Sequence, residues 1–332
     1  MKNKICFAVV ILFNLANSFA QDFHFSQFDA NPLYLNPALT GERLNKQKGV
    51  LLSANYRDQS ASYSKSSSSF NSIAVGIDVP LNNRLSIGQF IGNNRSVDGA
   101  FNSFNILLSG SYKVISSKDH NNRHNLSVGL QAGLLNNSMN TQTFIYASQY
   151  SPTSSTGFDN NIPSGEIHSQ LSYYKFDYNF GAYYRTKSKN DKLVISSGFS
   201  VYHIGKKDET TVVANTIGMR INVHASAIYS VSSKIKITPL FLYMNQYKVD
   251  EYNIGALMHY VMQENYEPII GVNLVHKKAL VFQAGLMVKN STFRLSYASP
   301  LTYFRSYNTQ ALEFSFIHTS NKKFHKADSE GL

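Results

Sequence analysis

An all-β fold, a single antiparallel barrel of about fourteen membrane-crossing strands behind a plug-like N-terminal segment, is predicted by three observations. Alternation of apolar and polar residues with period two recurs along the chain, while no sustained apolar run follows helical spacing. One strand plus its connection takes roughly 22 residues, and most segments approach the 9 to 11 residues that cross a bilayer when tilted. The alternating faces also differ in chemistry: one is apolar and aromatic, with 22 Phe and 21 Tyr standing in for the absent Trp, and the other is polar or glycine. Tandem sandwiches would use shorter strands every 8 to 12 residues, and a propeller would show a repeat of 40 to 50 residues.

The first element is a secretory signal. Lys2 and Lys4 precede an apolar run from Ile5 to Leu15, and Ser18-Phe19-Ala20 fits a small-x-small cleavage site, so residues 1–20 read as a signal peptide and the mature chain begins near Gln21. The only cysteine, Cys6, lies inside that peptide, which excludes a disulfide or a lipid-anchored cysteine from the mature chain. Export without cysteine suits a bacterial envelope protein.

Residues 21–47 follow as a plug or periplasmic segment. They include "FSQFDANPLYLNPALTG" (25–41), where Asn31-Pro32 and Asn36-Pro37 prevent a regular strand and favour an ordered extended or turn conformation. Its Phe and Leu side chains carry too much apolar surface to leave in water. The barrel is expected over 48–319. Strands are placed at 48–58, 70–79, 84–92, 101–114, 124–135, 172–186, 192–204, 216–229, 235–246, 250–262, 267–276, 279–289, 292–299 and 309–319. In "SIAVGIDV", Ile73, Val75, Ile77 and Val79 share the lipid face. In "KFDYNFGAYY", Phe176, Tyr178 and Phe180 do the same, and so do Ile221 and Val223 in "MRINVHASAIY". The opposite phase turns Arg57, Asp78, Lys113, Asp177, Arg185, Arg220, Arg294 and Glu313 inward, and both signs together predict a cross-linked interior.

Connections alternate in length. Short turns at 80–83, 187–191, 263–265 and 289–291 fall on one side, taken as periplasmic. The long 136–171, 60–69 and 205–215 connections fall on the other side. The stretch 115–124 is a long turn on the short side. Residues 320–332 read as a disordered tail.

The opening stretch also closely resembles the start of the PorP/SprF family of outer-membrane proteins of the Bacteroidota type IX secretion and gliding machinery. The residues that carry this are Phe25, Ser26, Gln27, Phe28, Asn31, Pro32, Tyr34, Leu35, Asn36, Pro37 and Gly41. Further likenesses are Tyr56-Arg57-Asp58-Gln59, the strand "SSGFSVYHI" with Gly198, Ser200 and His203, and "FRLSYASP" with "ALEFSF". The sequence departs from the family pattern at Leu312-Glu313, where a His usually precedes the Glu, at Lys206, where a Pro often stands, and in its non-aromatic ending. The resemblance implies a barrel without enzymatic activity or cofactor. Its partners would be outer-membrane lipid, periplasmic type IX components and a secreted client with a type IX C-terminal domain, such as a gliding adhesin.

Other functions have weaker support. A diffusion porin is the main alternative, since fourteen strands enclose a lumen wide enough for water unless something fills it. Hydrolysis lacks a Gly-x-Ser-x-Gly elbow or an evident carboxylate pair. His120 and His124, with only Asp119 nearby, make no persuasive metal site. The net charge of +11 is spread over turns and loops without a nucleic-acid motif, which fits anionic lipid or an acidic partner better than nucleic acid.

Overall fold

The computed structural model describes residues 22–44, 49–59, 69–116, 123–140, 144–165, 170–205, 217–247, 249–263, 265–301 and 310–320. The expected signal peptide and the expected tail after Ser320, together with His120 and most of the 60–69, 115–124 and 205–215 connections, lie outside them.

Fourteen antiparallel strands close into one barrel in sequence order. They are β1 (Val50–Asp58), β2 (Phe70–Pro80), β3 (Leu85–Ser96), β4 (Phe101–Ile115), β5 (His124–Asn140), β6 (Gln170–Lys187), β7 (Leu193–Tyr202), β8 (Arg220–Ser230), β9 (Ile235–Gln246), β10 (Val249–Tyr260), β11 (Tyr266–Val275), β12 (Ala279–Val288), β13 (Ser291–Pro300) and β14 (Ala311–Ser320). The closing pair runs from Val50↔Ser320 to Asp58↔Leu312. Closure leaves no strand edge unpaired, which a wall in hydrocarbon requires. Among the described residues no helix is long and apolar enough to cross a membrane.

The faces follow the alternation. Outward Phe176, Leu108 and Leu130 are 76%, 68% and 67% exposed, whereas inward Ser53, Asn55, Ser72, Asp78, Asn179 and Glu313 are buried. An apolar belt of this extent is intolerable in water and is what lipid solvates. The inward face is not uniformly polar, however. On β9 to β11 Leu240, Leu242, Leu257 and Ile269 also point inward, and they form a buried cluster with Phe28, Leu35 and Leu39 of the N-terminal segment.

Several boundaries differ from expectation. Strand β3 runs to Ser96 rather than 92, β8 starts at Arg220 rather than 216, and β5 runs to Asn140 rather than 135, its pairing with β6 continuous from His124↔Thr186 to Asn140↔Gln170. Strand β7 stops at Tyr202 rather than 204, because His203 takes a left-handed φ of 58° that ends the extended run.

Candidate functional site

The segment 22–44 lies among the inward-facing side chains, and its local shape follows from the two Asn-Pro pairs. Asn31 caps the single-turn helix α1 (Pro32–Leu35), its Oδ1 accepting from Tyr34 N. Asn36 caps the 3-10 turn Pro37–Leu39, its Oδ1 accepting from Ala38 N at 2.9 Å. Each Pro occupies the first helical position, where the missing N–H costs nothing and the fixed φ suits the turn. The pairs therefore start two helical turns instead of an extended run. Gly41 then leaves α-space at φ 73° and donates its N–H to Asp78 Oδ1 at 3.2 Å.

The segment has a direction. Asp22 lies by the far ends of β7 to β9, beside the long connections. Its N–H donates to Gln246 Oε1 at 2.8 Å, and its Oδ2 meets His203 Nε2 at 2.7 Å and Arg220 Nη1 at 2.9 Å. His203 is pinned three ways, since its Nδ1 faces Asp177 Oδ1 at 2.9 Å and its own N–H donates to Asn179 Oδ1 at 2.8 Å. Burial alone would raise the Asp22 carboxyl, but His203 and Arg220 outweigh it and hold the group well below the usual carboxylate range. The Arg220 guanidinium also lies over the Tyr34 and Tyr202 rings, 4.7 and 4.2 Å from their centroids.

Further along, the closing strands take hold. Both oxygens of Glu313 accept backbone N–H groups, from Ser26 at 2.7 Å and Gln27 at 2.9 Å. Ser315 Oγ donates to Gln27 Oε1, and Gln27 Nε2 donates to Ser296 Oγ. Arg57 Nη1 donates to His24 O and Ser26 Oγ, and lies 3.8 Å from Glu313. Asp29 pairs with Arg294 at 2.9 Å.

Phe25, Leu33 and Tyr34 pack on Phe90 and Leu107. Leu35 O accepts from Ser200 Oγ and Asn222 Nδ2. Asn36 Nδ2 reaches the wall itself, donating to Ala182 O at 3.0 Å and Phe199 O at 3.2 Å. That approach needs glycine at two wall positions, since a Cβ on Gly181 would lie 1.9 Å from Asn36 Oδ1 and one on Gly198 would lie 2.7 Å from Asn36 Nδ2. At the short-turn end Ser111 Oγ donates to Thr40 O, while Glu42 accepts from Ser127 Oγ and pairs with Lys113 at 3.4 Å.

The predicted residues thus meet in one place. The opening motif and the β7 motif are opposite halves of a single contact: Gly198 gives room to Asn36, Ser200 bonds Leu35 and His203 holds Asp22. The inward charges Arg57, Asp78, Arg220, Arg294 and Glu313 bond chiefly to the segment rather than across the lumen to one another. Asp177 and Arg185 differ: Asp177 bonds the wall residues His203 and Asn179, and Arg185 lines a cavity at the short-turn end. Sequence reasoning missed Asp22, Asp29, Glu42, Asn222 and His224, the last lying with its Nε2 3.1 Å from Asn36 Nδ2. For the last two a signal existed, since both lie on the polar face of "MRINVHASAIY".

A search of curated proteins finds no match. Among solved structures the chain is similar to a Pseudomonas aeruginosa FadL homologue, at 11% identity and TM-score 0.48, covering 86% of this chain and 92% of that one. It is also similar to the P. putida toluene transporter TodX, at 8% identity and TM-score 0.49 over 87% and 93%, and to the KdgM porin, at 10% and 0.36 over 80% and 98%. A family model matches residues 17–317, described as the type IX secretion system membrane protein PorP/SprF. With nearly the whole closed barrel inside that match, the chain belongs to the PorP/SprF family of type IX secretion membrane proteins, and its place is the outer membrane.

Proposed function

We propose that this barrel is a non-enzymatic docking scaffold of type IX secretion, with residues 22–44 as a plug, the short turns in the periplasm and the long connections outside. Periplasmic secretion components would engage the turn end, and a secreted surface protein carrying a type IX C-terminal domain would be held for display at the loop end. The observation that carries this reading is the continuity of the segment's bonding. Hydrogen bonds or ion pairs reach it from β1, β2, β4 to β11, β13 and β14. Backbone and side chains anchored on every side suit a fixed occupant, whereas a diffusion path needs a lumen free of one.

The porin reading has one observation in its favour, the open cavity beneath the segment at the turn end. Deleting residues 23–41 separates the two. For a scaffold, the shortened barrel still inserts, conducts ions in a planar bilayer far better than the intact chain, and no longer supports client display. A full-length chain that already gives steady porin-like conductance, unchanged by the deletion, would make the diffusion pore the better account.

A further inference from the structure

The segment does not fill the lumen completely. Between it and β6 to β11, β13 and β14, at the short-turn end, lies a cavity of about 370 Å³. Its walls are apolar where Leu35, Leu39, Tyr183 and Leu257 meet, and charged where Arg43, Arg185 and Arg294 face Asp29 and Glu42. The ion pairs show which cation is left over: Asp29 is taken by Arg294, Glu42 by Lys113 and His259 by Glu267, and Arg43 donates to Asp29 O, while among the described residues Arg185 has no hydrogen-bond or ion-pair partner. Donors and acceptors are also left over in the wall. Glu42 is 5% exposed and its Oε2 accepts no hydrogen bond. Arg294 is 3% exposed and its Nε donates none. Buried polar atoms of this kind ordinarily have partners.

We propose that this cavity binds the carboxyl-terminal end of a peptide whose last side chain is apolar. The volume suits one or two residues. The terminal carboxylate pairs with Arg185, where a planar guanidinium matches it bidentately. The apolar side chain lies against Leu39 and Leu257, and the last backbone N–H donates to Glu42 Oε2. An aliphatic acid shares the carboxylate and the apolar body but has no N–H for Glu42, so the peptide satisfies more of the wall. This deepens the docking reading by naming a chemical class of partner for the turn end, and it is tested by binding alone, without client display or conductance.

The probe is a dye-labelled tetrapeptide ending in Leu, titrated by fluorescence anisotropy onto the full mature chain in lipid nanodiscs. Its carboxamide form and unlabelled decanoate serve as comparisons. The free acid should bind, and the carboxamide should bind about 10- to 100-fold more weakly, the range expected for losing a charge-assisted pair. Arg185→Gln should weaken the free acid by a similar factor, and Glu42→Gln should weaken it less. Leu257→Trp, which fills the cavity without touching a charge, should abolish binding while heat-modifiable migration still reports a folded barrel. Equal affinity for acid and carboxamide, binding untouched by Arg185→Gln or Leu257→Trp, or saturation by decanoate with no peptide bound, would each overturn the proposal. No binding of the free-acid peptide by the intact chain would refute this site and leave the scaffold reading, which the deletion of residues 23–41 tests, standing.

Discussion

Glu313 shows how a single inward residue is used. Two consecutive backbone N–H groups converge on its carboxylate, so the geometry resembles an anion held in a nest of amides, with the anion supplied by the wall. Hydrogen bonds to an ionised acceptor are worth about 1.5 to 3 kcal/mol each, and a carboxamide can accept from only one of the two donors without turning its NH₂ toward the other. Glu313→Gln should therefore loosen the segment around Ser26 and Gln27 by about 1.5 to 3 kcal/mol and leave the barrel closed. Amide hydrogen exchange faster at those two positions, with heat-modifiable migration unchanged, would show it, and unchanged exchange would refute it. At the segment's leading end, a few residues away, the depressed Asp22 carboxyl stabilises the segment wherever it is ionised in both states. That contribution is present above the unfolded value of about 3.9 and is lost as pH falls towards the lower folded value. That Glu313 points inward was legible from the alternation in "ALEFSF". Its partners were not, because 287 positions separate it from Ser26 and no local pattern encodes such a pairing.

Among elements, the strands were the most legible. Lipid on one face and a polar interior on the other impose opposite demands on successive residues, and the period of two is the imprint. The imprint fades where that contrast ends. In "NNSMN" at the end of β5 the outward face is polar and only Met139 on the other face is apolar, so the contrast is lost and the strand's end was not readable, although β6 spans 18 residues and on the order of 60 Å at 3.3 Å per residue, more than a tilted crossing needs. On β9 both faces are apolar for the opposite reason, since Leu240 and Leu242 receive the segment's own leucines. The Asn-Pro pairs were legible as chain-stiffening positions, but not as starts of helical turns, because the capping bonds compete with an extended path on nearly equal terms. The strand phase itself can be tested. Phe180→Arg and Val223→Arg, on the outward face, should each destabilise folding by about 2 to 4 kcal/mol at mid-membrane depth, and Ser226→Arg, on the inward face, should cost less. Urea titration of refolding into lipid vesicles measures the three. Equal losses would mean that the faces are assigned the wrong way round.

At the scale of the molecule, connection length divides the barrel into two rims, and the proposed orientation puts the longer ones outside. An epitope tag at Ser154 should bind antibody on intact cells, and one at Asn190 should bind only after the outer membrane is permeabilised. The reverse pattern would invert the orientation while leaving every bond described above in place. The rims also give the segment a polarity of consequence. Residue 22 lies at the long-connection rim, yet β1 begins at the opposite one, next to Ser320. The chain therefore traverses the lumen once before the first strand is laid down, with its leading end pointing away from the periplasm in the proposed orientation. Glu313 and Ser315 hold that traverse from β14, the same strand that zips onto β1. One strand therefore serves two ends of the chain at once: β14 both completes the wall and grips the segment that lies inside it, so a change on its inward face reaches the seam and the segment together.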